Sequence, residues 1–207
     1  MSTLNNPPHG NPLSGGNSPL LCYVTDRHAL RIAHPADSLT ALTEKIEEVV
    51  AAGVDWVQIR EKDLPARELA SLTRQALDIA RKYSANGSSP VRVLVNDRLD
   101  VAIAERAHGV HLGENSLPVR EAKQLLESAS QKRAIDQSFL IGASCHSLEG
   151  AKSAERADYI FFGPIFATPS KERFGSAQGL ERLAQVCRGV TVPVLAMLAT
   201  TLPGFSG

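Results

Sequence analysis

The stretch Tyr159-Ile-Phe-Phe-Gly-Pro-Ile-Phe-Ala-Thr-Pro-Ser-Lys171 decides how the rest of the chain is read. Its first residues, Tyr159 to Phe162, are continuously apolar and read as a buried strand. Gly163 and Pro164 then stop regular structure, since a proline has no N–H to give a neighbouring strand. Just past that strand end lie Thr168, Ser170 and Lys171, two hydroxyls and an ammonium, a set suited to holding phosphate. A polar surface loop is the alternative reading of the same residues.

Outward from this stretch, the composition sets bounds. A chain of 207 residues buries a full-sized core and is most simply one domain; 43% hydrophobic and 21% charged residues are ordinary for a soluble globular protein. Lys and Arg total 22 and Asp and Glu total 22, so broad attraction to nucleic acid or membrane is not expected, although a local basic pocket is compatible with that balance. The three cysteines, Cys22, Cys145 and Cys187, are too few and too scattered for a disulfide framework or a metal knuckle, which makes a reducing cytoplasm the default location. No apolar run approaches the roughly 20 residues of a spanning helix, and the N-terminus lacks the order of a signal peptide.

Residues 1–18, rich in Asn, Pro, Gly and Ser, are expected to form a disordered tail. From there strand-like and helix-like segments alternate. Strands are expected at Leu20–Val24, Val54–Arg60, Val91–Val95, Gly109–Gly113, Phe139–Ser144, Tyr159–Phe162 and Val192–Met197. Amphipathic helices are expected between them, the first carried by Leu39, Leu42, Ile46, Val49 and Val50 and ended near Gly53. The remaining helices are expected at Pro65–Tyr83, Leu99–Arg106, Pro118–Ser130, Leu148–Ala157 and Leu180–Arg188. One strand and one helix about every 30 residues imply parallel strands with crossover helices. No glycine-rich dinucleotide fingerprint follows the first strand, which speaks against a Rossmann fold. The expected architecture is a TIM (β/α)8 barrel over residues 19–197 with about seven of its eight strands, the last βα unit missing, and an atypical tail at 198–207.

Polar residues gather where those strands end: Gln58/Arg60/Lys62, Asn96/Asp97, Ser144/His146 and Thr168/Ser170/Lys171. In a barrel such ends converge on one face, where active sites are built. Gln58 and Arg60 are two apart on a strand and point the same way, with Lys62 continuing the row, so they suit a phosphorylated or pyrophosphorylated ligand. A barrel mouth salt-bridged through Glu61 or Asp63 is the structural alternative. Asp97 is placed to bind Mg²⁺, or else to cap the helix at Leu99. His146 has the chemistry of an acid/base group, whereas His111, inside a strand, reads as a packed or ring-orienting residue. Cys145 adjoins His146 but points the opposite way along a strand, so the two do not form a nucleophilic pair.

Together these segments resemble the thiamine phosphate synthase/TenI family of (β/α)8 barrels. The matching pieces are Tyr23-Val-Thr-Asp26, Gln58-Ile-Arg-Glu-Lys62, Val95-Asn-Asp-Arg98, Gly109-Val-His-Leu-Gly113, Ser144-Cys-His-Ser147, Gly163 to Lys171 and Gln178-Gly-Leu180. The resemblance implies a cytoplasmic transferase of thiamine biosynthesis that couples hydroxymethylpyrimidine pyrophosphate to thiazole phosphate and releases pyrophosphate, with Mg²⁺ as cofactor. It implies that Gln58, Arg60, Lys62 and Asn96 bind the pyrimidine pyrophosphate and that Asp97 binds the metal. Ser144 and Lys171 would contact the pyrophosphate, Lys171 serving catalysis, and Thr168 and Ser170 the thiazole side. Its partners would be these small molecules, with no nucleic acid or membrane, and a homo-oligomer is compatible with the family.

Two departures qualify the match. The family's second metal-binding carboxylate falls at Ser116, within Gly113-Glu-Asn-Ser116, where Glu114 is the nearest alternative acid. Beyond Met197 the family's glycine-rich phosphate segment is replaced by Leu198-Ala-Thr-Thr-Leu-Pro-Gly-Phe-Ser-Gly207, as expected of a truncation or frameshift. The first departure favours a TenI-type thiazole tautomerase with His146 as acid/base group. The second favours a non-catalytic fragment that only binds thiamine precursors.

Overall fold

The computed structural model describes residues 19–30, 34–85, 89–130, 138–166 and 177–198. Both expected tails, apart from Leu198, lie outside these residues, as do Thr168, Ser170 and Lys171. Strands β1 (Cys22–Val24), β2 (Trp56–Ile59), β3 (Arg92–Asn96), β4 (Gly109–Leu112), β5 (Leu140–Cys145), β6 (Tyr159–Phe162) and β7 (Val194–Ala196) form one sheet of seven in sequence order. All neighbouring pairs are parallel. Helices α1 (Ser38–Ala51), α2 (Ala66–Ala85), α3 (Leu99–Ala104), α4 (Val119–Ser130), α5 (Leu148–Ser153) and α6 (Gly179–Gly189) make the crossovers. This is the seven-stranded, curled α/β arrangement that the alternation of segments predicts.

The strand alternation sorts side chains onto two layers. Val57 and Ile59, Val93 and Val95, and Val110, Leu112 and Ile141 face the helices, where they pack with Leu42, Ile46, Leu72 and Leu77 of α1 and α2. Ile160 and Phe162 do the same against α5 and α6, with Ala151 and Val186. The intervening residues Trp56, Leu94, Leu140, Tyr159 and Phe161 form a separate interior cluster. Strands β2, β4 and β6 are buried along their whole length, as parallel strands covered on both faces must be. The flanking strands β1 and β7 are only partly buried.

The interior layer turns polar toward the C-terminal strand ends. Gln58 follows Trp56 on β2, Asn96 follows Leu94 on β3, and Ser144 follows Leu140 and Gly142 on β5. The same alternation that builds the core therefore delivers polar side chains to one rim. No helix among the described residues is long and apolar enough to cross a membrane.

Candidate functional site

A cavity of about 750 Å³ opens at that rim. Seven of the residues expected to bind ligand or metal line it: Gln58, Arg60, Lys62, Asn96, Asp97, Ser144 and His146. They come from the ends of β2, β3 and β5, so residues up to 88 positions apart, Gln58 and His146, converge because the strands are parallel and in order.

A chain of amide hydrogen bonds organises the floor. Gln58 Nε2 donates to Asn96 Oδ1 at 2.7 Å, and Asn96 Nδ2 donates to Asp97 Oδ2 at 2.7 Å. The carboxylate can only accept, which fixes the Asn96 amide and, through it, the Gln58 amide. Gln58 Oε1 is consequently left as a buried acceptor without a partner among the described residues. An unsatisfied buried acceptor costs about 1–3 kcal/mol, so this atom is a ready seat for an N–H of a ligand.

Asp97 has left-handed backbone, with φ of 60°. It does not cap α3: Arg98 is the N-cap, and no side chain caps there. The left-handed turn instead aims the carboxylate across to the β4 end, where Oδ1 accepts from Gly113 N at 2.8 Å and from the Ser116 hydroxyl. Lys62 Nζ lies 3.5 Å from Oδ2. Partial burial pushes the Asp97 carboxyl up, but the Ser116 and Gly113 hydrogen bonds and the Lys62 charge outweigh it and hold it below its ordinary value. Asp97 is therefore an anion beside the Lys62 cation, in a cavity that Arg60 also lines.

The expected salt-bridged barrel mouth also exists, one layer out. Glu61 is buried and accepts from Thr25 Oγ1 at 2.6 Å and from Arg27 Nη1 at 3.0 Å, while Arg27 also binds Asp63 at 2.6 Å through Nη1. Thr25 Oγ1 in turn accepts from Arg60 N at 2.9 Å. The acidic residues between Arg60 and Asp63 are thus used by Arg27, which leaves Arg60 and Lys62 facing the cavity. The salt-bridged mouth is therefore present, and Arg60 and Lys62 line the cavity beside it.

His146 Nδ1 is bonded to the Gly163 carbonyl, which can only accept, so Nδ1 carries a proton. Cys145 faces the outer core and burial pushes its thiol up to about 11, which removes it from any pairing with His146. Glu114 lines the cavity, but its Oε1 reaches toward the first turn of α5, 3.6 Å from where a Cβ on Gly150 would stand. The hydroxyl that meets Asp97 is that of Ser116.

A sequence profile described as thiamine monophosphate synthase matches residues 29–201. The chain belongs to this family. A thiamine-phosphate synthase of Halalkalibacterium halodurans is 35% identical over 166 residues, 79% of this chain and 70% of its own length. One of Albidiferax ferrireducens is 39% identical over 183 residues, 86% of this chain and 77% of its own. Among solved structures, a thiamine phosphate pyrophosphorylase from Pyrococcus furiosus superposes with a TM-score of 0.67 at 30% identity, covering 87% of this chain and 75% of that one.

Three further residues of the cavity have partners that only the structure shows. Thr25 positions the Arg60 backbone, and Ser116 holds Asp97. His111 lies at the cavity floor, fully buried and bonded on both ring nitrogens. His111 is an imidazole inside an otherwise apolar strand, whereas Thr25 and Ser116 lie just past the ends of β1 and β4.

Proposed function

We propose that this chain is a thiamine phosphate synthase, transferring the methylpyrimidine group of hydroxymethylpyrimidine pyrophosphate to the ring nitrogen of thiazole phosphate. The observation that carries this reading is the orphaned acceptor Gln58 Oε1, set in the same cavity as Arg60 and Lys62. An aminopyrimidine offers the N–H that Gln58 Oε1 lacks, and its pyrophosphate offers negative charge to Arg60 and Lys62, the latter 3.5 Å from Asp97.

In the reaction the C–O bond between the pyrimidine methylene and pyrophosphate breaks, and its electron pair leaves on the pyrophosphate oxygen. The thiazole nitrogen lone pair then forms the new C–N bond at that methylene. Arg60 and Lys62 stabilise the charge that grows on the leaving group, and Ser144 donates to it. Gln58, held by Asn96, orients the ring, so that the enzyme acts chiefly by position and fixed charge. Outside the described residues, Lys171 is assigned to the pyrophosphate and Thr168 and Ser170 to the thiazole side by the family resemblance alone.

The residues present fit a magnesium ion held mainly by the substrate. Magnesium takes one or two carboxylates plus phosphate oxygens and water. Asp97 supplies one ionised carboxylate at the cavity wall, and no cluster of three or more His, Cys, Asp or Glu suited to a metal occurs among the described residues. When bound, the ion would neutralise charge on the departing pyrophosphate.

The test is to incubate purified protein with both substrates and Mg²⁺ and to measure thiamine phosphate and pyrophosphate. Absence of product while the pyrimidine pyrophosphate still binds would reject turnover and leave a binding protein. A second reading, a thiazole tautomerase, is favoured by one observation: His146 lines the cavity with its ring held by the Gly163 carbonyl through Nδ1. His146→Asn should abolish isomerisation and spare coupling if that reading holds; loss of coupling alone would sink it.

A further inference from the structure

Beneath the cavity lies a hydrogen-bonded pair, His111 and Tyr159, to which the coupling chemistry gives no role. Asn96, His111, Gly142 and Tyr159 occupy consecutive strands β3 to β6 at one level of the sheet register. Tyr159 is fully buried, and its Oη lies 3.1 Å from His111 Nδ1. His111 Nε2 lies 2.8 Å from Ser144 Oγ, and Ser144 lines the cavity. The three groups connect the closed interior to the rim.

The row has a direction. Among the described residues, His111 Nδ1 is the sole hydrogen-bond partner of Tyr159 Oη. If Nδ1 carried the proton, the phenol O–H would be a buried donor with nothing to meet, at the full desolvation penalty. The phenol must therefore donate to Nδ1. A neutral imidazole then carries its proton on Nε2 and donates it to Ser144 Oγ. Burial keeps the imidazole neutral, pushing it down to about 3, and pushes the phenol well above its ordinary value. With its oxygen already accepting from His111, the Ser144 hydroxyl is turned outward as a donor.

We propose that Tyr159 and His111 form a directional relay that aims the Ser144 proton into the cavity, where it meets an anionic oxygen of the ligand. They are positioning residues, acting through Ser144, and the anion end of the proposal rests on the synthase reading above. In a relay of the opposite sense Ser144 would spend its proton on His111 and present only a lone pair, repelling a pyrophosphate oxygen.

The relay is tested by nitrogen-15 NMR of histidine-labelled protein at neutral pH, with His111 assigned by comparison with His111→Asn. The expected spectrum is a neutral ring protonated on Nε2, and in Tyr159→Phe a shift toward the Nδ1-protonated form. Nδ1 protonation in the wild-type chain, or an unchanged tautomer in Tyr159→Phe, overturns the relay. Calorimetry with inorganic pyrophosphate tests the other end: Ser144→Ala and Tyr159→Phe should each weaken binding roughly tenfold, and the double variant no further, the mark of one shared path. Wild-type affinity in Ser144→Ala, with the tautomer as expected, would overturn the anion assignment while the direction of the relay stands. Circular dichroism of each variant separates these outcomes from loss of fold.

Discussion

His111 on β4 and Tyr159 on β6 share a hydrogen bond of 3.1 Å although strand β5 lies between them. The bond is possible because the β5 residue in their shared register is Gly142. A Cβ there would overlap the Tyr159 phenol. Gly142→Ala is expected to destabilise the fold by about 1–3 kcal/mol, the usual cost of overpacking, because ring and backbone are both held by the core. Urea denaturation measures it. A change within about 0.5 kcal/mol would show that the ring seat is slack.

Gln58 makes a different kind of demand. Its Nε2 is committed to Asn96, while its Oε1 waits for a donor. Gln58→Met keeps the side-chain volume and removes both functions. Affinity for an aminopyrimidine pyrophosphate should fall by roughly 10- to 100-fold, since a ligand N–H would then be buried unpaired. Affinity for inorganic pyrophosphate should change by less than about threefold, because Arg60 and Lys62 remain. Competition binding of the two ligands reads the difference, and equal losses would place the pyrimidine elsewhere.

These two residues also mark how far the sequence could be read. The strands were legible because parallel strands buried on both faces are apolar runs, and Tyr159–Phe162 has the predicted bounds. The rim residues were legible because polar side chains at strand ends interrupt those runs. What the sequence could not give is orientation across strands. Asp97 read as a ligand or as a helix cap, and its left-handed backbone, turning the carboxylate toward Gly113, removes the cap reading. His111 read as a ring-orienting residue without its partners, because Tyr159 and Ser144 are 48 and 33 positions away and meet it through register alone.

Acid should loosen the clamp between the β1 and β2 ends. The Arg27 hydrogen bonds hold Asp63 well below the usual carboxylate range, and His28 Nε2 adds a contact at 3.1 Å. A depressed carboxylate contributes stability that is present above its unfolded value, near ~4, and lost as pH falls through its folded value. Asp63→Asn should therefore lower the melting temperature at neutral pH. The gap from wild type should narrow steadily below about pH 4. Asp63 is exposed, so the gap will be small; a gap that widened in acid would reject the clamp as its source.

Ser116 is where the proposed metal site can be strengthened and so tested. Its hydroxyl donates to Asp97 Oδ1, so it stabilises the carboxylate without offering a second one. Ser116→Asp would set two carboxylates side by side. Without a cation they repel, and one is forced to hold a proton, so the melting temperature should fall in chelator. With Mg²⁺ both can ligate, and an ion present at about 100 times its dissociation constant stabilises by about 2.7 kcal/mol. For a chain of this size that is a rise of roughly 5–10 °C, against a smaller rise for the wild-type protein with its single carboxylate. Thermal melts of both proteins with Mg²⁺ and with chelator measure the contrast. Equal shifts in the two would mean that the ion is held away from Asp97, and that the cavity manages pyrophosphate with Arg60 and Lys62 alone.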